Sequence, residues 1–218
     1  MSTQITVTGQ AETRIAPELG AVTLIVTASG ANRDAILQQS GGSHHELLAE
    51  VKSLDAAGTL DAWSAGQLRV WSHRPWNADG RQLPLIHEAR AEVEVVFRDL
   101  ARLTEWVSAV AERDSVTVGG VDWRLTDATR RRVQEDAQRR AVTDAVAKAR
   151  VYADALGLGE PQPVELADRG LLGPHPGPQA PQAVMMRAAA FGGPQAPVTE
   201  LTPADLVIEA SVDARFSA

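Results

Sequence analysis

The sequence predicts an α+β fold, a mainly antiparallel sheet packed by one long alanine-rich helix and shorter helices. Three observations predict it. Runs of alternating apolar residues open the chain, close it and recur between. The stretch Glu135–Gly159, "EDAQRRAVTDAVAKARVYADALGLG", holds alanine at every fourth position from Ala137 to Ala153. The β-runs come in hairpin-like pairs without regular strand–helix–strand alternation, which argues against a parallel sheet.

Ile5, Val7 and Gly9 alternate with Thr6 and Thr8; after the turn "APELG", Val22, Leu24 and Val26 share one face of a second strand. Two β-rich runs joined by a short Pro/Gly connection read as an antiparallel pair. Gly9 stands in "TGQAE", which lacks the further glycines and the Lys-Ser/Thr of a phosphate loop. It reads as a strand glycine at a bulge or close approach.

From the cap Asn32 to about Leu54, Ala35, Ile36, Leu47, Leu48 and Val51 fall at helical spacings. The interior "SGGSHHE" weakens this helix, since each glycine costs about 1 kcal/mol relative to alanine. A kinked helix and a helix pair both stay open. Leu60–His73 and Leu83–Phe97 read as a hairpin around the Asp-Gly turn of "RPWNADGRQ". Asp99 caps a helix to Val110 whose apolar face carries Leu100, Leu103, Trp106, Val107 and Val110.

"SVTVGGVDWRLTD" is a fifth strand, and the alanine helix follows from about Ala128 to Leu156, stopped by "GLG". "QPVELADRG" reads as a strand. "GPHPGPQAPQ" and "GGPQAP" cannot hold helix or central strand and mark a flexible excursion over 173–197. In the last strand Leu206, Ile208, Ala210, Val212, Ala214 and Phe216 share a face. The whole reads as one domain, 1–218, with a sub-division into 1–115 and 116–218 as the alternative.

At 3.6 residues per turn, steps of four overshoot by about 40° each, so five alanines form an oblique ridge of the kind used in close packing. Either the ridge presses on the protein's own sheet or it meets a second subunit. The opposite face reads as solvated charge. Arg131–Glu135, Arg132–Asp136, Glu135–Arg139, Asp136–Arg140, Arg140–Asp144 and Asp144–Lys148 are all opposite-sign pairs four residues apart. This spacing argues against nucleic-acid binding by "RRR", as does a net charge of −7.

A chain of 218 residues with 44% hydrophobic and 22% charged residues is long enough to bury a core. The absence of cysteine excludes disulfides, thiolate metal sites and a thiol nucleophile. The opening "MSTQITVTGQ" has neither the basic region nor the apolar run of a signal peptide, and no window has the length of a membrane span. The expectation is a cytoplasmic protein without a membrane span.

Chemistry is poorly signalled. None of His44, His45, His73, His87 and His175 pairs with another at metal-ligand spacing, and neither HExxH nor Gly-x-Ser-x-Gly occurs. No catalytic, cofactor-binding or metal-binding residue is assigned, and no cofactor is expected. Glu92 and Glu94 read as an ordinary solvated strand face. Tryptophan supplies five of nine aromatics. Trp106 reads as core, whereas Trp76, beside Pro75 in a turn, reads as either local packing or an exposed partner anchor. Met185, Met186 and Phe191 form an apolar patch in the excursion that either covers the protein's own core or docks on a neighbouring subunit. These four residues, Trp76, Met185, Met186 and Phe191, are the candidate interface.

Taken together, "ITVTGQAE", "APELGAVTLIV", the alanine helix with its Gly-Leu-Gly stop and the closing strand resemble the SIMPL-domain family of oxidative-stress-defence-like and periplasmic immunogenic proteins. The resemblance implies an α+β fold and, in some relatives, assembly into large rings. It supplies no reaction and no catalytic residues. Many relatives carry a signal peptide, and many have Pro-Gly where this chain has "TPADL". The resulting expectation is a non-enzymatic homo-oligomeric assembly or interaction module connected to stress defence. The alternative is a small-molecule-binding or enzymatic domain with its pocket between the sheet and the long helix, or beneath the excursion.

Overall fold

The structure is a computed structural model that describes residues 2–76, 82–172 and 202–218. Eight strands and three helices run in the order β1 (Gln4–Ile15), β2 (Leu19–Gly30), α1 (Arg33–Ala56), β3 (Leu60–Ala65), β4 (Arg69–His73), β5 (Ile86–Phe97), α2 (Leu100–Ala111), β6 (Val116–Arg124), α3 (Asp127–Ala155), β7 (Gln162–Asp168) and β8 (Leu206–Ser217). Every strand pairing among the described residues is antiparallel. The fold is α+β.

These elements form two compact units. One contains β1, α3, β7 and β8, and the other β2 to β6 with α1 and α2. The chain leaves the first unit after Ala16 and returns to it at Leu125. β6 stays in the second unit, where it pairs with β2.

The first unit corrects the predicted β1–β2 pair. β1 pairs along its whole length with β8, from Gln4↔Ser217 to Ile15↔Leu206, in a sheet of order β1-β8-β7. The local turn signal at Ala16–Gly20 marks the passage to a second sheet. One face of this sheet presents Ile5, Val7, Ala210, Val212, Ala214 and Phe216, and onto it α3 lays Ala137, Ala141, Ala145, Ala149 and Ala153, all fully buried. The ridge packs on the protein's own sheet. Gly9 is the close approach: a Cβ there would overlap the Ala141 carbonyl oxygen and lie 2.8 Å from the Ala145 Cβ.

α3 begins at the cap Thr126, whose hydroxyl accepts from the Thr129 N–H at 3.3 Å. It ends in a Schellman motif: Leu158 N–H bonds Ala153 O at 2.9 Å and Gly157 N–H bonds Asp154 O at 3.0 Å. Gly157 has φ 68°, the left-handed conformation that the motif requires and glycine adopts without strain.

In the second unit β2 is central, in a sheet of order β3-β5-β2-β6 with β4 also on β5. The predicted single strand Leu60–His73 is interrupted. Ala65 pairs with Val93 and Arg69 with Arg90, so three residues (66–68) face two (91–92). This is a β-bulge, anchored by the Gly66 N–H on Glu92 O at 2.7 Å. A second bulge sits at Gly119–Gly120, which together oppose Thr23. A Cβ on Gly119 would lie 2.9 Å from Thr23 O.

α1 is one continuous helix and not a helix pair. Its cap Asn32 accepts from the Asp34 and Ala35 N–H groups, and the Ser40 hydroxyl donates to Ile36 O at 2.6 Å. A Cβ on Gly41 or Gly42 would meet nothing within 4 Å. Asp99 caps α2 through the Arg102 N–H. α1 and α2 bury Leu47, Val51, Leu103, Trp106 and Val107 against Val22, Leu24, Val93, Val95 and Phe97, with the Phe97 and Trp106 rings 5.4 Å apart.

Candidate functional site

Because side chains alternate along a strand, the second sheet has a face opposite its helices; Leu19, Ala21 and Val96 are buried at one end of that face, and the rest of it is open. On β5 this open face carries Glu88, Arg90, Glu92 and Glu94. On β4 it carries Arg69 and Trp71, and on β2 Thr23, Ile25 and Thr27. A hollow of about 670 Å³ lies here, lined by Ser64, Arg69, Trp71, Arg90, Glu92 and Glu94 among others. A second, of about 490 Å³, adjoins it and shares Trp71 and Arg90. The bulge at 66–68 contributes Gly66 and Gln67 to the larger hollow.

The charges are unevenly matched. Arg124 holds Asp122 at 2.7 Å and Glu94 at 3.3 Å, and the Asp122 hydrogen bond above all raises its pKa above the ordinary guanidinium value. Among the described residues, Arg90 has only a long contact to Glu92, 3.8 Å. Glu88 lies 3.7 Å from the His73 ring. Arg69 and Arg90 are direct register partners.

Of the candidate interface residues, Trp76 is 87% exposed, and the base of its hairpin is tied by Arg74 Nη1 donating to Leu83 O at 2.9 Å. Leu85 and Trp71 on the same hairpin are 39% and 43% exposed. Met185, Met186 and Phe191 lie outside the described residues, as does His175. Among the histidines, Ser72 Oγ and His87 Nδ1 are 2.6 Å apart in an exposed contact between β4 and β5, but no carboxylate bonds the His87 ring among the described residues. His44 presents an Nε2 that is buried and without a partner there, and burial lowers its pKa below 6.5. No three His, Asp or Glu side chains among the described residues stand close enough to hold a metal ion. No helix of the described residues is long and apolar enough to cross a membrane.

The charged face of α3 is partly solvated and partly structural. Arg139–Glu135 (3.4 Å), Arg140–Asp136 (3.1 Å) and Lys148–Asp144 (2.7 Å) close as predicted. Arg131 donates instead to the Asp127 carbonyl. β1 is an edge strand, and α3 satisfies part of that edge. Asp144 Oδ2 accepts from the Gln10 N–H at 2.8 Å, Lys148 Nζ donates to Thr8 O at 2.9 Å, and Arg140 donates to the Thr13 hydroxyl. The Lys148 hydrogen bond, followed by the Gln10 N–H, holds the Asp144 carboxyl below 3.8.

The sequence missed the open-face residues Arg69, Trp71 and Arg90. Their meeting depends on the register of β4 against β5, which the bulge sets. The family comparison fits what the fold shows. The model of the SIMPL family, described as proteins of unknown function (DUF541), matches residues 5–216, and the chain belongs to that family. No curated protein matches the sequence.

Proposed function

We propose that the chain is a non-enzymatic interaction module that assembles with copies of itself. The observation that carries this reading is Trp76, 87% exposed at the end of a hairpin whose base is tied. Burying a large apolar side chain is worth about 2–3 kcal/mol, and tryptophans on ordered supports are the residues that most often anchor an interface. Leu85 is a further exposed apolar side chain on the same hairpin. A second copy is the simplest partner, since a two-fold contact lets one patch meet itself.

Sedimentation velocity across a range of concentrations tests the reading. A species heavier than one chain, growing with concentration, is expected; a single 23.2 kDa species throughout contradicts it. A cytoplasmic setting and a role in stress defence belong to the proposal on the family resemblance alone. Cell fractionation and survival of a deletion strain under oxidant test them.

A second reading, small-molecule binding, is favoured by one observation, the directly opposed Arg69 and Arg90 in the larger hollow.

A further inference from the structure

Like charges directly opposite on neighbouring strands destabilise a sheet. Arg69 and Arg90 nevertheless sit in register and line one hollow. Among the described residues neither is closely neutralised. Arg90 has Glu92 only at 3.8 Å, and no carboxylate lies within ion-pair distance of Arg69 among the described residues. Glu94, which lines the same hollow, is already held by Arg124 at 3.3 Å. Trp71, two residues beyond Arg69 and so on the same face, is 43% exposed. Like Arg90, it borders both hollows.

Two arginines at directly opposed strand positions can turn forked donors toward one planar anion, and an indole lining the same hollow offers a surface for a flat ring. We propose that Arg69, Arg90 and Trp71 bind a small planar aromatic carboxylate, the two arginines taking the carboxylate and Trp71 the ring. A carboxylate suits the site better than a phosphate monoester, because Glu92 and Glu94 border the hollow and repel a dianion more than a monoanion. The bound anion removes the cross-strand repulsion that the free sheet carries. This inference rests on the ligand-binding reading and is independent of assembly through Trp76.

The test uses the full chain, ¹⁵N-labelled and titrated with benzoate, phenyl phosphate and uncharged benzamide, followed at the Trp71 indole N–H and the Arg69 and Arg90 Nε–H signals. Benzoate is expected to shift all three saturably, with Kd on the order of 1 mM, and benzamide to shift none. Arg69→Gln and Arg90→Gln are each expected to weaken benzoate by about tenfold or more, and Trp71→Leu to weaken it as well. Without ligand, Arg69→Gln should unfold at a higher temperature than wild type, which also shows that the variant folds; benzoate should raise the wild-type Tm and leave that of the variant unchanged. Equal benzoate affinity in wild type and both arginine variants would overturn the site. Tighter binding of phenyl phosphate would overturn the carboxylate assignment. Saturable shifts confined to residues away from Trp71 would leave a ligand-binding protein but exclude this site, and no shift from any probe would exclude both.

Discussion

Gly9 lies so close under Ala145 that a Cβ on Gly9 would come 2.8 Å from the Ala145 Cβ and overlap the Ala141 carbonyl oxygen. Helix α3 therefore touches strand β1 backbone to side chain, and the alanine ridge has its meaning only together with that glycine. Gly9→Ala must push α3 away from the sheet along a face where five alanines are fully buried. The expected cost is about 3 kcal/mol, near the upper end for overpacking, read by urea unfolding followed by circular dichroism.

Gly42 is the counterexample. It sits inside α1 with nothing within 4 Å of its missing Cβ. Gly42→Ala removes unfolded-state entropy and clashes with nothing, so it should stabilise by about 0.5–1 kcal/mol. The same denaturation measurement checks it, and a loss of stability would mean that this helix is not continuous through its glycines.

Asp144 ties the edge of β1 through the Gln10 N–H. Asp144→Ala should cost about 1 kcal/mol at neutral pH and speed hydrogen exchange at the Gln10 amide. The folded pKa is depressed below 3.8, so the contribution is present above that value and is lost as pH falls through the folded pKa. Wild type and variant should therefore converge in stability under acid.

His44 has the opposite chemistry but the same sign. Its ring is held neutral by burial, with a pKa below 6.5, while the unfolded chain takes up a proton near 6.5. The unfolded state binds more protons in the interval between the two, so stability is complete above 6.5 and declines as pH falls from 6.5 through the folded pKa. His44→Leu should lose this slope in unfolding measurements between about pH 5 and 7. An identical slope in both proteins would show that the ring titrates normally in the fold.

Periodicity made most elements legible. The caps Asn32 and Asp99, the Gly-Leu-Gly stop and the inward face Ala210–Phe216 all follow from local chemistry that a sequence displays. The partner of β1 did not, because hairpin reasoning assumes that neighbours in sequence pair, and β1 finds β8 at the far end of the chain. The spacing of the α3 charges allows mutual pairing and so predicts a solvated face. The spacing is silent on the strand edge that Asp144, Lys148 and Arg140 also serve. The open-face arginines are 21 residues apart and meet only because a bulge resets the register between β3 and β4.

Assembly anchored by Trp76 is tested most directly by native mass from size-exclusion chromatography with light scattering, on wild type and Trp76→Ala. The side chain is 87% exposed, so its removal should change stability by no more than about 0.5 kcal/mol, and mass alone reports its role. The expected result is a wild-type multimer that falls to 23.2 kDa in the variant. A wild type already at 23.2 kDa, or a variant that keeps the full multimer mass, would contradict it.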